Sequence, residues 1–178
     1  PSSFVAADYR ADLRDLPIGV FDSGVGGLTV LEAIKAHDRH HNLTGADGAD
    51  GVPDFAGERF VYFGDQANMP YGNYSAVGRT GFLRELILRD ALFLLGRRQA
   101  NGTKPPVKAI VIACNTATAY GLEDIRAAVK AWGIPVIVIG VVEAGAQGLA
   151  ETAEGAQGGV AVLATVGTCA SNAYPKAI

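Results

Sequence analysis

The hydrophobic residues of this 178-residue chain are grouped in short continuous runs and do not alternate with polar residues. Apolar runs of about 4–8 residues are typical of strands buried on both faces, as in a parallel sheet. We therefore predict five buried strands, at residues 18–21, 60–63, 109–113, 136–141 and 160–164.

The segments between these runs have helical periodicity, at residues 28–36, 76–98, 117–132 and 145–153. An alternation of strands and helices predicts right-handed crossovers and an α/β fold, in which helices flank an open, mostly parallel sheet. The polar segment 37–58 interrupts this alternation and predicts a surface loop. Its histidines, His37, His40 and His41, suggest a metal site, but no carboxylate or cysteine stands at helical ligand spacing with them, which favours a solvated loop.

Charge and composition narrow the classes of partner. The chain has 15 Lys+Arg against 18 Asp+Glu and a pI of about 5.6, which argues against nucleic acid or an anionic membrane surface. The most apolar segment, 134–142, is shorter than the roughly 20 residues of a membrane-spanning helix. Charged residues from Asp8 onward interrupt any secretory signal. We expect a cytoplasmic protein that binds a small molecule.

The residues that follow the predicted strands are the best candidates for a site, because ligands of open parallel sheets bind beyond the carboxyl ends of the strands. The first strand leads into a glycine-rich turn, Asp22-Ser23-Gly24-Val25-Gly26-Gly27. Free N–H groups at the following helix start favour an anion. Asp22 would repel a phosphate but would accept a hydrogen bond from an ammonium group. A tight turn with no ligand is the alternative.

The loop after the second strand contains Pro70-Tyr71-Gly72, which can present Tyr71 and a backbone N–H to a ligand. The alternative is that Tyr71 packs on the surface and Ser75 caps the next helix.

The third strand ends at Cys114, where a helix dipole would stabilise a thiolate and lower its pKa. The alternative is a small buried hydrophobe. Cys169 also follows a strand, but nothing beside it marks it as a base, and we expect it to be buried. Both cysteines are expected to be free thiols without metal-site spacing.

Several motifs, taken in order, resemble those of glutamate racemases, of the aspartate/glutamate racemase superfamily. They are the segment 18–28, the segments 62–65 and 70–72, and the segment 113–118 with its Ala-Cys-Asn-Thr-Ala-Thr sequence. Gly140-Val141-Val142-Glu143 and the segment 165–168, with Ser171 and Tyr174 behind it, are also similar. The resemblance runs from residue 18 to the C-terminus.

The resemblance implies cofactor-independent interconversion of L- and D-glutamate, which supplies D-glutamate for peptidoglycan. Two family cysteines flank the substrate α-carbon, one removing a proton as a thiolate and the other returning one. Cys114 matches the first cysteine, the one that deprotonates D-glutamate. The matching substrate-binding positions are Asp22, Ser23, Tyr71, Gly72, Asn115, Thr116, Thr165 and Thr168. The resemblance implies no metal, no cofactor and a homodimer.

The chain departs from the family at the second catalytic cysteine. That residue lies in a Cys-Thr-His sequence, which is absent here, and Cys169 is followed by Ala170 and Ser171. We therefore expect the N-terminal two-thirds of a two-domain racemase. Residues 1–142 would form the first α/β domain, with a loop insertion at 37–58, and residues 143–178 would begin an incomplete second domain.

Two other functions remain open on the sequence. One is a related enzyme of the superfamily, either an aspartate racemase or a decarboxylase with one cysteine. The other is a non-catalytic domain that binds an acidic amino acid.

Overall fold

The computed structural model describes residues 4–10, 12–152 and 159–178. Within these residues, four parallel strands form the main sheet and two short antiparallel strands form a separate hairpin. In chain order the strands are β1 (Ile18–Asp22), β2 (Phe60–Gly64), β3 (Arg98–Gln99), β4 (Gly102–Thr103), β5 (Ala109–Ile112) and β6 (Ile137–Gly140).

Helices flank the main sheet, so the predicted α/β fold with an open parallel sheet is confirmed. A 3₁₀ turn, Ala6–Tyr9, precedes them. The helices are α1 (Gly27–Ala36), α2 (Gly72–Ala76), α3 (Thr80–Leu95), α4 (Asn115–Ala131), α5 (Val141–Thr152), α6 (Val166–Ala170) and α7 (Ala173–Ala177). No helix in the described ranges is both long and apolar enough to cross a membrane.

The order of the strands across the main sheet is β2-β1-β5-β6. The chain passes from β1 to β2 on one side and then crosses back to place β5 on the other side of β1. The strand order therefore reverses between β1 and β5, and this is where open α/β sheets bind ligands. All five residues of β1 are buried, as its continuous apolar run predicts. The edge strand β6 is buried on one face only, because Ile137 is 62% and Ile139 is 44% exposed, so the prediction of burial on both faces is wrong for β6.

The main core lies between the sheet and the helix pair α3 and α4. Buried side chains recur along α3 at Leu83, Leu86, Ile87, Asp90, Ala91, Leu94 and Leu95. The two helices approach closely at Gly121 of α4, where an added Cβ would lie 2.3 Å from Cγ2 of Ile87. Trp132 lies at the edge of the core, with its ring centroid 4.7 Å from that of Phe4.

Four predicted elements differ from the structure. Residues 160–164 do not form a strand, and Leu163 is 99% exposed. An apolar run becomes a strand only when a neighbouring strand pairs with it, and β6 is paired with β5 alone in the described part of the sheet.

The predicted helix 76–98 is two helices, because Gly78 has a left-handed φ of +68° between α2 and α3. It ends early as well, since the chain is extended at Gly96 and enters the β3–β4 hairpin at Arg98. The strand predicted at 136–141 stops at Gly140, and α5 begins at Val141 rather than at residue 145. The last residue predicted for this helix, Ala153, lies outside the described residues.

The segment 37–58 forms a loop, as predicted, and its own carboxylates tie it together. Asp54 accepts hydrogen bonds from the backbone N–H groups of Arg39 and His40, and lies 3.2 Å from Nδ1 of His40. Asp38 accepts from the N–H groups of Asp50 and Gly51. Among the described residues, no group of three or more His, Cys, Asp or Glu is placed to hold a metal ion.

We predict that Gly121→Ala destabilises the fold by about 1–3 kcal/mol, the usual cost of overpacking a core. The new methyl group would push against Ile87, and the better helix propensity of alanine, about 1 kcal/mol, would not compensate. Gly148→Ala in α5 is the matched control, because nothing lies within 4 Å of its added Cβ. Urea denaturation measures both, and equal stability of the two variants would contradict the packing described for α3 and α4.

Candidate active site

Asp22 fixes the turn at the carboxyl end of β1. Its Oδ1 accepts a hydrogen bond from the N–H of Ser23 at 2.8 Å, and its Oδ2 accepts one from the N–H of Gly27 at 2.9 Å. The turn is packed too tightly for a side chain at Gly27, because an added Cβ would lie 2.8 Å from the Cβ atoms of Ala113 and Asp22. The glycine-rich segment 22–27 is therefore a compact turn that holds Ser23 at the sheet edge.

Cys114 lies directly across this edge, at the end of β5. It is the N-cap residue of α4, and its sulfur accepts a hydrogen bond from the N–H of Ala117 at 3.4 Å. The Ser23 hydroxyl oxygen lies 3.5 Å from the same sulfur. Ser23 and Cys114, which follow β1 and β5, thus meet where the strand order reverses.

Burial raises the pKa of the Cys114 thiol. The hydrogen bonds from Ala117 and Ser23 lower that pKa, but they do not outweigh desolvation, and the nearby Asp22 carboxylate raises it further. The sequence-based expectation of a lowered pKa is therefore wrong, because the helix start that favours a thiolate is itself buried inside the fold.

The first turn of α4 supplies backbone donors beside the thiol. The first N–H groups of a helix have no intrahelical acceptor. In this turn the N–H groups of Ala117 and Thr118 are bonded to Cys114, and no hydrogen bond of the described residues uses those of Asn115 and Thr116. These two N–H groups can bind a carboxylate.

The three predicted threonines come together in a hydroxyl cluster. Oγ1 of Thr116 lies 3.3 Å from Oγ1 of Thr165 and 3.2 Å from Oγ1 of Thr168, and the last two are 3.0 Å apart. Thr165 is the N-cap residue of α6. A short helix from the C-terminal part of the chain therefore docks against the start of α4.

Gly72 joins the same region. An added Cβ at Gly72 would lie 3.2 Å from Oγ1 of Thr165, so the two residues are in close contact. From α7, the Tyr174 hydroxyl donates to Oδ1 of Asn115 at 2.7 Å and so occupies a side chain that was predicted to face the substrate.

The Tyr71 side chain is buried and contacts two carboxyl groups. It is 1% exposed, and its hydroxyl oxygen lies 2.6 Å from Oδ2 of Asp65 and 2.6 Å from Oδ2 of Asp90. The prediction that the loop presents the Tyr71 side chain to a ligand does not agree with this position, because burial beneath the loop encloses the ring. The backbone of Tyr71 and Gly72 remains at the site.

Sequence reasoning missed Asp65 and Asp90. A signal for Asp90 exists, because residue 90 falls on the helical spacing of the apolar positions of α3, where a carboxyl group is out of place. Cys169 was also misjudged, since it is exposed, with its sulfur 3.7 Å from the Ala164 carbonyl oxygen. It lies on α6, a short helix that contacts the rest of the fold through Gly167 and Thr168.

Fold and site together define an α/β protein with a buried thiol at the reversal point of its sheet, facing a serine hydroxyl and a helix start. Comparison with known proteins is consistent with this class. The chain belongs to the family described as Asp/Glu/Hydantoin racemase, which matches residues 83–178.

Similar proteins extend the match toward the N-terminus. The glutamate racemase of Chlorobaculum tepidum is 38% identical over 164 residues, covering 92% of this chain and 47% of that protein. The crystal structure of glutamate racemase from Campylobacter jejuni has a TM-score of 0.62 at 30% identity, over 90% of this chain and 51% of that one. Glutamate racemase from Francisella tularensis, solved in complex with D-glutamate, has a TM-score of 0.58 at 30% identity, and the match covers 91% of this chain and 47% of that one. The chain spans about half the length of the relatives it matches.

We predict that iodoacetamide labels Cys169 at least about tenfold faster than Cys114 near pH 7.5, because only a thiolate reacts and Cys114 is buried with a raised pKa. Mass spectrometry of the Cys169→Ser and Cys114→Ser single-thiol variants measures each rate separately. Equal rates in the folded proteins would contradict the buried placement of Cys114.

Proposed function

We propose that this chain forms one half of a glutamate racemase site, in which Cys114 is the base that removes the α-proton of D-glutamate. The observation that carries the proposal is the meeting of Cys114 with Ser23 and the free helix start of α4 at the reversal point of the strand order. The similarity to glutamate racemases supports glutamate as the substrate.

The site offers complementary groups for the two kinds of charge on glutamate. The N–H groups of Asn115 and Thr116, with the hydroxyl groups of the threonine cluster, would bind the carboxylates. The Asp22 carboxylate has lone pairs left after its two backbone hydrogen bonds and would accept from the ammonium group. Thr165 and Thr168 would contact the substrate through the hydroxyl cluster, and Gly72 and Tyr71 through their backbone.

The α-proton of an amino acid is a weak acid, so a reaction without a cofactor needs preorganised donors and a strong base. In the proposed step the Cys114 thiolate takes the proton and becomes a thiol, and the electron pair stays on the α-carbon, where donors at the helix start stabilise the charge on the adjacent carboxylate. The raised pKa makes the thiolate a stronger base while reducing its population at neutral pH.

Inversion also needs an acid on the opposite side of the α-carbon. Cys169 is exposed and its sulfur faces the Ala164 carbonyl oxygen, so we propose that it is not this acid. The second proton donor would come from the half of the racemase length that the chain does not match. We propose residues 1–142 as the first domain and 143–178 as the beginning of the second.

The cellular role follows from the proposed reaction. Supply of D-glutamate for peptidoglycan would place the enzyme in the cytoplasm, and we propose that it acts as a homodimer without a cofactor, in line with the resemblance in its motifs. A related acid such as aspartate is the alternative substrate.

We predict that the chain exchanges the α-proton of D-glutamate, but not of L-glutamate, in deuterated water without inverting it. Cys114→Ala abolishes the exchange, whereas Cys169→Ser leaves it unchanged. Proton NMR follows the exchange and optical rotation follows inversion. Exchange that persists in Cys114→Ala would contradict the role of Cys114, and inversion of both isomers would show a second donor in this chain. Tight binding without exchange would favour a non-catalytic binding domain.

We predict that the exchange rate at saturating D-glutamate continues to rise above pH 9.0, the ordinary pKa of a thiol, because burial raises the pKa of Cys114 and only its thiolate reacts. Ser23→Ala moves the profile to still higher pH, since it removes a hydrogen bond that lowers this pKa. The pH profile of deuterium uptake measures both effects. A plateau reached below about pH 8 would contradict the electrostatics described for the site.

A further inference from the structure

Two buried carboxyl groups lie beneath the candidate site and play no part in the proposed proton transfer. Asp65 follows β2, and Asp90 lies on the buried face of α3. Both are less than a tenth exposed. Oδ2 of each lies 2.6 Å from the hydroxyl oxygen of Tyr71, which is itself buried.

The number of hydrogens in this cluster is fixed by its geometry. A phenol has one hydrogen and can donate it to one acceptor. Two oxygen–oxygen distances of 2.6 Å each require a hydrogen between the atoms. One of the two carboxyl groups must therefore be protonated and must donate to the Tyr71 oxygen.

The extra proton belongs on Asp90. Asp65 has a second donor, since the Asn68 side-chain amide lies 2.9 Å from both of its carboxylate oxygens, and these contacts suit an ionised group. Burial is the largest of the effects that set the pKa of Asp90 and raises it to about 7; a hydrogen bond from Tyr71 to the ionised carboxylate lowers this pKa, and the Asp65 charge, the smallest of the three effects, raises it.

We propose that protonated Asp90 is a positioning residue for the substrate site: it donates to Tyr71, Tyr71 donates to Asp65, and this relay holds the segment 65–72 at the sheet edge. The inference rests on the proposed function, because the site it positions is the one proposed for glutamate. Ionisation of Asp90 leaves two carboxylates competing for one hydrogen and releases the segment.

Both ends of this segment touch residues of the proposed site. At one end the N–H of Asp65 donates to the Asp22 carbonyl oxygen at 3.0 Å. At the other end Gly72 packs against Thr165. A shift of the segment therefore moves the groups that would bind substrate, although neither Asp90 nor the Tyr71 hydroxyl faces it.

The titratable groups that face Asp90 set the direction of the pH dependence. They are the hydroxyl of Tyr71 and the carboxylate of Asp65, both from the segment after β2. Lys104, which follows β4, donates to the Leu94 and Gly96 carbonyl oxygens at the end of α3 and is not among the groups that face Asp90. Since the pKa of Asp90 in the fold lies above its ordinary value, the relay is complete at acidic pH and is lost as pH rises through about 7.

The test is the affinity of the chain for D-glutamate, measured by calorimetry at about pH 6 and about pH 8.5. We expect the wild type to weaken by about tenfold between these values. The affinity of Asp90→Asn should change by less than about twofold between the two pH values, because the asparagine amide still donates to Tyr71 and cannot ionise. Asp65→Asn should also reduce the pH dependence of the affinity, since it removes one of the two carboxylate charges beside Tyr71. Glu85→Gln, a solvent-facing carboxylate of the same helix, is the matched control and should follow the wild type.

Hydrogen–deuterium exchange of residues 65–72, corrected for intrinsic rates, is the second readout. We expect wild-type protection to fall above about pH 7 and the Asp90→Asn protection to persist. A pH response of Asp90→Asn equal to that of the wild type in both readouts would overturn the inference. If no variant binds D-glutamate, the proposed function fails, and the exchange of residues 65–72 in the wild type alone decides the inference: loss of protection confined to this segment supports it, and unchanged protection overturns it.

Discussion

The hydrogen bonds of the Asp22 carboxylate are the constraint on which the candidate site depends. One oxygen binds the N–H of Ser23 and the other binds the N–H of Gly27, so a single side chain ties the end of β1 to the start of α1. The turn is thereby closed tightly enough to bring the Ser23 hydroxyl to the Cys114 sulfur. β1 and β5 are neighbouring strands at the point where the strand order reverses. This contact therefore joins two residues that are about ninety positions apart in the sequence.

Burial of Cys114 has two opposing consequences for the proposed chemistry. Desolvation raises the pKa of the thiol, which makes its thiolate a stronger base but a rarer one. The hydrogen bonds from Ala117 and Ser23 act in the other direction, and a bound ammonium group would add to them. The same effect acts in the buried cluster of Asp65, Tyr71 and Asp90, where desolvation raises the pKa of the Asp90 carboxyl group.

The fold and part of the site could be predicted from the sequence because they depend on local patterns. Continuous apolar runs located β1, β2, β5 and β6, and the residues after β1 and β5 were correctly expected at one sheet edge. The direction of the Tyr71 side chain, the partners of Asp90 and the exposure of Cys169 depend on contacts between distant segments, which no local pattern contains. The run 160–164 failed for the same reason, since a strand also requires a partner.

We propose that glutamate binds where β1 and β5 end, between Ser23 and the start of α4. The most direct measurement is the change in backbone amide chemical shifts of the ¹⁵N-labelled chain on titration with D-glutamate. We expect the largest changes on Ser23, Gly72, Asn115 and Thr116 and none in the loop 37–58. Changes centred on that loop, or on a surface groove lined by Arg84, Asp124 and Lys176, would contradict this placement of glutamate.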